Sequence, residues 1–293
     1  MTEINTCPVC GGTDHHEVRK APYFRGEREF FTIVECDNCS FWWTNPAPRG
    51  EALSAYYETD DYVSHTDGKG GLMDAVYNIV RNRAVQTKLN LVNRAQSNKD
   101  LLVDYGAGTG AFLAAAQAKN WKTLGFEPSS VARENAKQKG VDLRDPESRG
   151  ELEEGSVSAF TLWHVLEHIP DLNETLSYFH SRLIDKGSLI VAVPNHESSD
   201  ADHYRNHWAA LDVPLHLWHF AKQDVKTLAE KHGFVLEEIH NMPFDSFYVS
   251  LLSEKNLWGK TRPFSAFWQG LISNFKGAKS KNMSSLIYVL RKA

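Results

Sequence analysis

The sequence predicts an α/β fold with a seven-stranded, mostly parallel sheet, preceded by a small cysteine-bearing module. Three observations predict it. From residue 101 onward, short apolar runs alternate with helix-length segments, the order a parallel sheet requires because each crossover must pass over a sheet face. A glycine turn, Gly106-Ala107-Gly108-Thr109-Gly110, stands between the first of these strands and an alanine-rich helix. The chain's four cysteines all lie within its first 39 residues, as two C-x-x-C pairs.

Residues 1–48 form the first unit. Cys7-Pro8-Val9-Cys10 and Cys36-Asp37-Asn38-Cys39 are separated by 25 residues, with a β-like run, Phe30–Cys36, leading into the second pair. Four thiolates complete a tetrahedral shell, so Cys7, Cys10, Cys36 and Cys39 are expected to hold a structural Zn2+ in a zinc ribbon with no open position. A redox C-x-x-C would open a helix after a strand, which Pro8 and the following glycines do not suggest. Asn45-Pro46-Ala47-Pro48 marks the boundary. Residues 49–95 read as a helical linker or lid, broken at Gly68-Lys69-Gly70-Gly71, with Tyr57, Tyr62 and His65 placed to line a cleft.

The main domain is expected over 96–293, with strands at 101–103, 122–126, 141–144, 157–163, 189–193, 234–240 and 286–290, the last two forming an antiparallel pair. An amphipathic helical insertion, 253–282, precedes the final strand. Phe264, Phe267, Trp268, Leu271, Ile272 and Phe275 share one helix face in it, followed by Lys276, Lys279 and Lys281. That face is expected to pack on the sheet or on a second subunit. The alternative is contact with an anionic membrane surface.

Composition narrows the partners. Apolar residues at 42% and charged residues at 24% suit a globular chain with a substantial core. Residues 253–293 carry eight Lys/Arg and one acidic residue, so the net charge of −5 divides into +7 there and −12 elsewhere. With four basic and seven acidic residues in 1–48, the ribbon is no nucleic-acid footprint. No run approaches the ~20 apolar residues of a membrane span, and the N-terminus lacks a signal-peptide pattern, so a cytoplasmic location without structural disulfides is expected.

The glycine turn sits where α/β sheets bind ligands. Gly106, Gly108 and Ala111 fit a loose dinucleotide fingerprint, but Asp104 just before it would oppose a pyrophosphate and suit an ammonium group. Gly110 gives G-x-G-x-G spacing, and Glu127, ending the second strand, is placed to accept both ribose hydroxyls. Through DYGAGTG, GFEPS and LWHVLEHIPD the chain resembles the class I S-adenosylmethionine-dependent methyltransferases, over about 96–252 plus the last strand. The resemblance implies a Rossmann-like fold and a bound S-adenosyl-L-methionine. Asp104, Gly106, Ala107, Gly108 and Gly110 would surround its methionine part, Glu127 and Pro128 its ribose, Asp145 its adenine, and His164 the reacting end.

Methyl transfer to a hydroxyl or acidic C–H needs a base, and two histidine groups offer one. His164, Glu167 and His168 follow the fourth strand. The O-methyltransferases of quinone biosynthesis resemble this segment, with Glu where His164 stands, and use it to bind a divalent metal. The second group, His196, His203, His207, His216 and His219, lies in a long 194–220 connection. The run from Asp212 to Phe220 resembles the histidine loop of the sugar C-methyltransferases, which also begin with a four-cysteine zinc domain. That implies His216 as base and His168 as its companion, although Leu215 stands where those enzymes have an acid and their extra C-terminal domain is missing. The expected function is methyl transfer to a small-molecule acceptor, a sugar or sugar nucleotide. An RNA methyltransferase using the ribbon for recognition and a non-catalytic cofactor-binding protein are the alternatives.

Overall fold

β-branched and aromatic residues at alternating positions build the first sheet. The computed structural model describes residues 1–26, 29–57 and 72–293, with strands at His15–Pro22 (β1), Phe30–Cys36 (β2) and Trp42–Thr44 (β3). They pair antiparallel in sequence order, and Phe31, Ile33 and Trp43 turn inward. Helices Glu51–Tyr57 (α1) and Leu72–Ala95 (α2) follow. The glycine break at 68–71, Tyr62, His65 and the Tyr57 side chain lie outside the described residues.

The remaining elements are Leu101–Tyr105 (β4), Ala111–Gln117 (α3), Lys122–Phe126 (β5), Ser130–Lys137 (α4), Leu143–Arg144 (β6), Val157–Trp163 (β7), Leu172–Arg182 (α5), Leu183–Pro194 (β8), Ser199–Tyr204 (α6), Trp218–His219 (β9), Lys222–Lys231 (α7), Phe234–Asn241 (β10), Asp245–Trp258 (α8), Pro263–Ser280 (α9) and Ser285–Lys292 (β11). The seven-stranded sheet has the order β10-β11-β8-β7-β4-β5-β6. Strands β6 to β8 through β5, β4 and β7 run parallel, and β11 is inserted antiparallel between β8 and β10. This is the mostly parallel Rossmann-like sheet the sequence predicts. The central strands β7 and β8 are apolar on both faces, as strands covered on both sides must be. The third strand is shorter than expected: Val141 is used in the core against Gly110, and only Leu143 and Arg144 reach β5.

One strand crosses between the two sheets. β9 adds to the N-terminal sheet as its fourth strand, with Trp42 opposite His219 and Trp43 opposite Trp218. Thr44 N–H donates to the Leu217 carbonyl and its hydroxyl to the His216 carbonyl, both at under 3 Å (2.9 and 2.8 Å). Leu217 N–H donates in turn to the Glu167 carbonyl, at 2.9 Å, and Trp218 Nε1 to the Ile169 carbonyl, at 2.6 Å. Phe41, fully buried, packs against Trp43, Trp218 and Phe220 at the centre of this junction. A two-residue strand holds only because these side chains bury its flanks.

The helical insertion before β11 is a pair, α8 and α9. Its inward face is small: Ala266, Gly270, Ser273 and Gly277 are buried, Gly270 beneath Phe247 and Gly277 against Met283. Ser273 and Ser284 hydroxyls and Trp208 Nε1 all donate to the buried Asp200 carboxylate, which ties α9 to the 198–208 segment and to the start of β11. The aromatic stripe expected to pack on the sheet therefore points away from it. Close helix approach through glycine and serine wins because it closes the Asp200 network, which large side chains would hold apart. Among the described residues, no helix is long and apolar enough to cross a membrane.

Phe41→Ala would leave a cavity at the junction of the two sheets. We expect it to lower unfolding stability by about 3–5 kcal/mol, read from the urea midpoint; a loss under about 1 kcal/mol would show that the junction bears little of the fold's stability.

Candidate functional site

The glycine cup forms where β4 ends. Gly106, Gly108 and Gly110 all take left-handed φ (78°, 54° and 72°), which side-chain-bearing residues adopt at a cost. Gly106 and Ala107 N–H groups both donate to the Phe126 carbonyl, fixing the loop over β5. A methyl on Gly106 would lie 2.4 Å from Val165, so the loop lies tight against the segment carrying Glu167 and His168. A methyl on Gly108 would meet nothing within 4 Å, leaving open space above the cup.

Glu127, 6% exposed, borders that space. Its carboxylate accepts from Gly108 N–H at 2.8 Å and Ser129 N–H at 3.0 Å, which fixes its direction and leaves lone pairs for two hydroxyls. Arg133 donates to the Glu127 and Pro128 carbonyls and pairs with Asp145 at 3.1 Å. Asp145 also caps the following turn by accepting from Glu147 N–H. Asp104 is buried and accepts from the Thr161 hydroxyl at 2.6 Å; burial pushes its carboxyl up to about 7, against the opposing pull of Lys88. Lys88 itself lies 4.5 Å over the Trp163 ring, its ammonium lowered by burial. Open space, an oriented diol acceptor and a carboxyl below fit the donor the motif implies.

Beyond the cup stands a buried cluster of imidazoles and carboxylates. His164, at φ 61°, ends β7. Its Nε2 lies 2.9 Å from Asp245 Oδ2 and its Nδ1 3.4 Å from Glu167 Oε1. Burial alone would lower its pKa, but the two carboxylates outweigh burial and raise it to about 10. His164, grouped in the sequence reading with the candidate bases, is therefore an imidazolium at neutral pH and has no lone pair to accept a proton. Glu167 is fully buried, and among the described residues the one polar contact its carboxylate makes is the long one to His164 Nδ1, at 3.4 Å. Burial would raise it, yet the surrounding imidazoles, His164 foremost, hold it below the usual carboxylate range.

His168 and His216 meet edge to face, ring centroids 4.6 Å apart. His168 Nδ1 bonds the Leu215 carbonyl at 3.0 Å, and burial with the neighbouring His216 lowers it to about 4. His216 Nδ1–H donates to the Ala210 carbonyl at 2.9 Å, so Nε2 carries the lone pair. Burial lowers its pKa as well. Asp212 Oδ2 lies 4.0 Å from that Nε2, beyond hydrogen-bond length but close enough to stabilise an imidazolium formed there. Asp212 is held by Arg25 at 2.5 Å, and burial raises its carboxyl. One ligand atom each from Glu167, His168 and His216 lies within 4.8 Å of the others, a set that can also hold a metal ion. The other loop histidines go elsewhere: His196 stacks on Trp42, His219 nears Thr44, His203 lies against Tyr204 and His207 against Phe24.

The four cysteine sulfurs also lie within 4.8 Å of one another, Cys7 and Cys39 at 3.6 Å, Cys10 and Cys36 at 3.5 Å. Four sulfurs at this separation, on two C-x-x-C turns, match a tetrahedral thiolate site. The donor set fits zinc.

Asp212, named above only as the start of the histidine run, and Asp245, Lys88 and Arg25 were not among the candidate site residues. Asp212 had a signal, a carboxylate four residues before a loop histidine; Asp245, Lys88 and Arg25 are brought in from distant elements and had none.

The profile of the methyltransferase-domain family matches residues 77–239. No curated protein sequence matches. Among solved structures, geranyl diphosphate methyltransferase in complex with S-adenosylmethionine superposes with a TM-score of 0.56 at 13% identity, covering 80% of this chain and 95% of that one. Geranyl diphosphate C-methyltransferase from Streptomyces coelicolor A3(2), with Mg2+, geranyl diphosphate and S-adenosyl-L-homocysteine, gives 0.54 at 11%, covering 79% and 88%. Cyclopropane synthase MmaA2 from Mycobacterium tuberculosis gives 0.50 at 14%, covering 70% and 83%.

Opposite shifts in one cluster give a test by histidine-ring NMR. Between pH 4 and 6.5 the unfolded chain binds a proton at His168 that the folded chain refuses, so this histidine's contribution to stability is lost as pH falls through that window. Between 6.5 and 10 the folded chain keeps the His164 proton that the unfolded chain has released, so that contribution is lost as pH rises. At pH 7 we expect a cationic His164 beside a neutral His168; two rings titrating together near 6.5 would contradict the assignment.

Proposed function

Because the chain belongs to the methyltransferase-domain family and is an S-adenosylmethionine-dependent methyltransferase, we propose that it methylates a small polar acceptor, a sugar or sugar nucleotide, with His216 as general base. The observation that carries this is the setting of His216, its Nδ1–H fixed on the Ala210 carbonyl and its Nε2 4.0 Å from the half-buried Asp212 carboxylate. When bound, the donor supplies an electrophilic methyl group on a sulfonium.

The protein's part is alignment and proton removal. The cup and Glu127 hold the donor, with Asp104 beneath. When the donor is bound, the acceptor's oxygen or carbon would take the methyl group as the sulfonium C–S bond breaks and leaves a neutral thioether. The acceptor's proton would pass to His216 Nε2, and Asp212 would stabilise the resulting imidazolium. Asp212 thus takes the part that Leu215 cannot, which supports the resemblance to the sugar C-methyltransferases. His164 stays protonated between Asp245 and Glu167, a fixed positive charge that keeps Glu167 ionised beside the two neutral imidazoles. A cleft of about 240 Å³ borders Asp212, lined by Arg25, Asn206, Trp208, Tyr248, Lys255 and Asn256. Cations, amides and aromatic faces together suit a polar, negatively charged small molecule.

We assign the cysteine tetrad to structural Zn2+ and the unit 1–48 to a ribbon that braces the histidine loop, with 49–95 as linker and 96–293 as the methyltransferase domain. A second reading of the histidine cluster rests on Glu167, whose buried carboxylate has, among the described residues, only the 3.4 Å contact to His164. A divalent cation on Glu167, His168 and His216 would use that carboxylate, and would activate the acceptor in place of the base.

Radiolabelled S-adenosylmethionine, offered with pools of sugar nucleotides, small metabolites and RNA, should label a small-molecule pool. His216→Gln should then lower kcat by about 10²–10⁴ with donor affinity unchanged. Label entering RNA alone, or donor binding with no transfer to any pool, would overturn the acceptor assignment. Activity that follows added Mg2+ or Mn2+ and survives in His216→Gln would favour the metal reading.

A further inference from the structure

We infer that the α8–α9 hairpin is an interfacial anchor that seats the protein on an anionic lipid surface. The aromatic face of α9 is turned outward along its whole length: Phe264 is 85% exposed, Phe275 83%, and Phe267, Trp268, Leu271 and Ile272 lie between them at 41–60%. This is no loose helix. Its small face is locked by Gly270 under Phe247, by Gly277 against Met283, and by Ser273 on Asp200. The orientation is set from the buried side, and the apolar side is left in water by construction. Six large apolar residues in one contiguous stripe exceed the scattered exposure of an ordinary surface.

Charge decides what covers the stripe. Between residues 255 and 281 there are six basic residues, Lys255, Lys260, Arg262, Lys276, Lys279 and Lys281, all exposed, and no acidic one. The acid just before them, Glu254, is buried, bonded to Ser265 and Tyr204 and paired with Arg262 at 3.8 Å, so it answers one of the six cations and leaves the five lysines to set the charge of this face. A second copy docked through this face would bring the same five lysines against their own images, because a two-fold interface pairs a patch with itself. An anionic bilayer meets both features at once: the stripe enters the headgroup–acyl boundary and the lysines stay at the phosphates. The remainder of the chain, at −12 for residues 1–252, is repelled by the same surface, so the protein's charge asymmetry turns the hairpin toward it.

The hairpin is joined to the site. Asp245, at the start of α8, pairs with His164, and Tyr248 and Lys255 of the same helix line the cleft beside Asp212. An anchor here would hold that cleft close to the lipid surface.

The test is flotation of the full-length chain with phosphatidylcholine vesicles, alone or carrying phosphatidylserine, at low and high salt. We expect binding to the anionic vesicles only, weakened by salt, and reduced by about a hundredfold in the triple variant Phe264→Asp, Trp268→Glu, Phe275→Asp. Reversal of Lys276, Lys279 and Lys281 to Glu should also abolish it. All six positions are exposed, and unchanged S-adenosylmethionine affinity confirms that each variant is folded. Absence of binding at low salt would overturn the proposal, as would equal binding to both vesicle types. So would a concentration-dependent dimer in sedimentation velocity that the aromatic triple variant abolishes, which would assign the stripe to a second copy.

Discussion

The pairing of β3 with β9 is the constraint on which the histidine cluster depends. Two residue pairs, Trp42 with His219 and Trp43 with Trp218, join the four-stranded sheet that carries Cys36 to a loop of the α/β domain. Thr44 holds the His216 carbonyl, and Leu217 and Trp218 hold the backbone at Glu167 and Ile169. The segment that carries His216 is thereby caught between two rigid bodies. Neither sheet alone would fix it, because 194–217 is irregular chain with short helical turns.

Burial then does the chemistry's preparatory work. Among the described residues, Glu167 and His216 are buried and His168 and Asp212 half-buried in one cluster, where each charge must be answered by a neighbour. His164 answers Glu167 and is itself answered by Asp245 on α8. The result is one fixed cation and two neutral imidazoles within a few ångströms, states that free histidines at one pH would not show. Burial disfavours His168 and His216 as cations, while paired carboxylates force His164 to be one. A base that must take a proton and release it gains from the first environment. A fixed charge gains from the second.

Much of this was legible in the sequence. The α/β order, the glycine turn of the cup and the closeness of the four cysteines follow from spacing and local chemistry, which act over a few residues. The strand β9 was not legible, since Trp218 and His219 form a strand only because Trp43 and Phe41 arrive from residues far upstream. The charge of His164 was hidden for the same reason, because Asp245 lies 81 positions away in the chain. The outward turn of the α9 stripe was hidden by a different cause. Periodicity shows that a helix has two faces, but the choice between a large apolar face and a small one rested on Asp200, a buried carboxylate that only Ser273, Ser284 and Trp208 together could satisfy.

The dependence of the histidine loop on the cysteine module is tested most directly by amide hydrogen exchange before and after a zinc chelator. Protection at 42–44 and at 216–219 is expected to be lost together, while β4 at the centre of the main sheet keeps its own. Protection retained at 216–219 once chelation has opened 42–44 would contradict it.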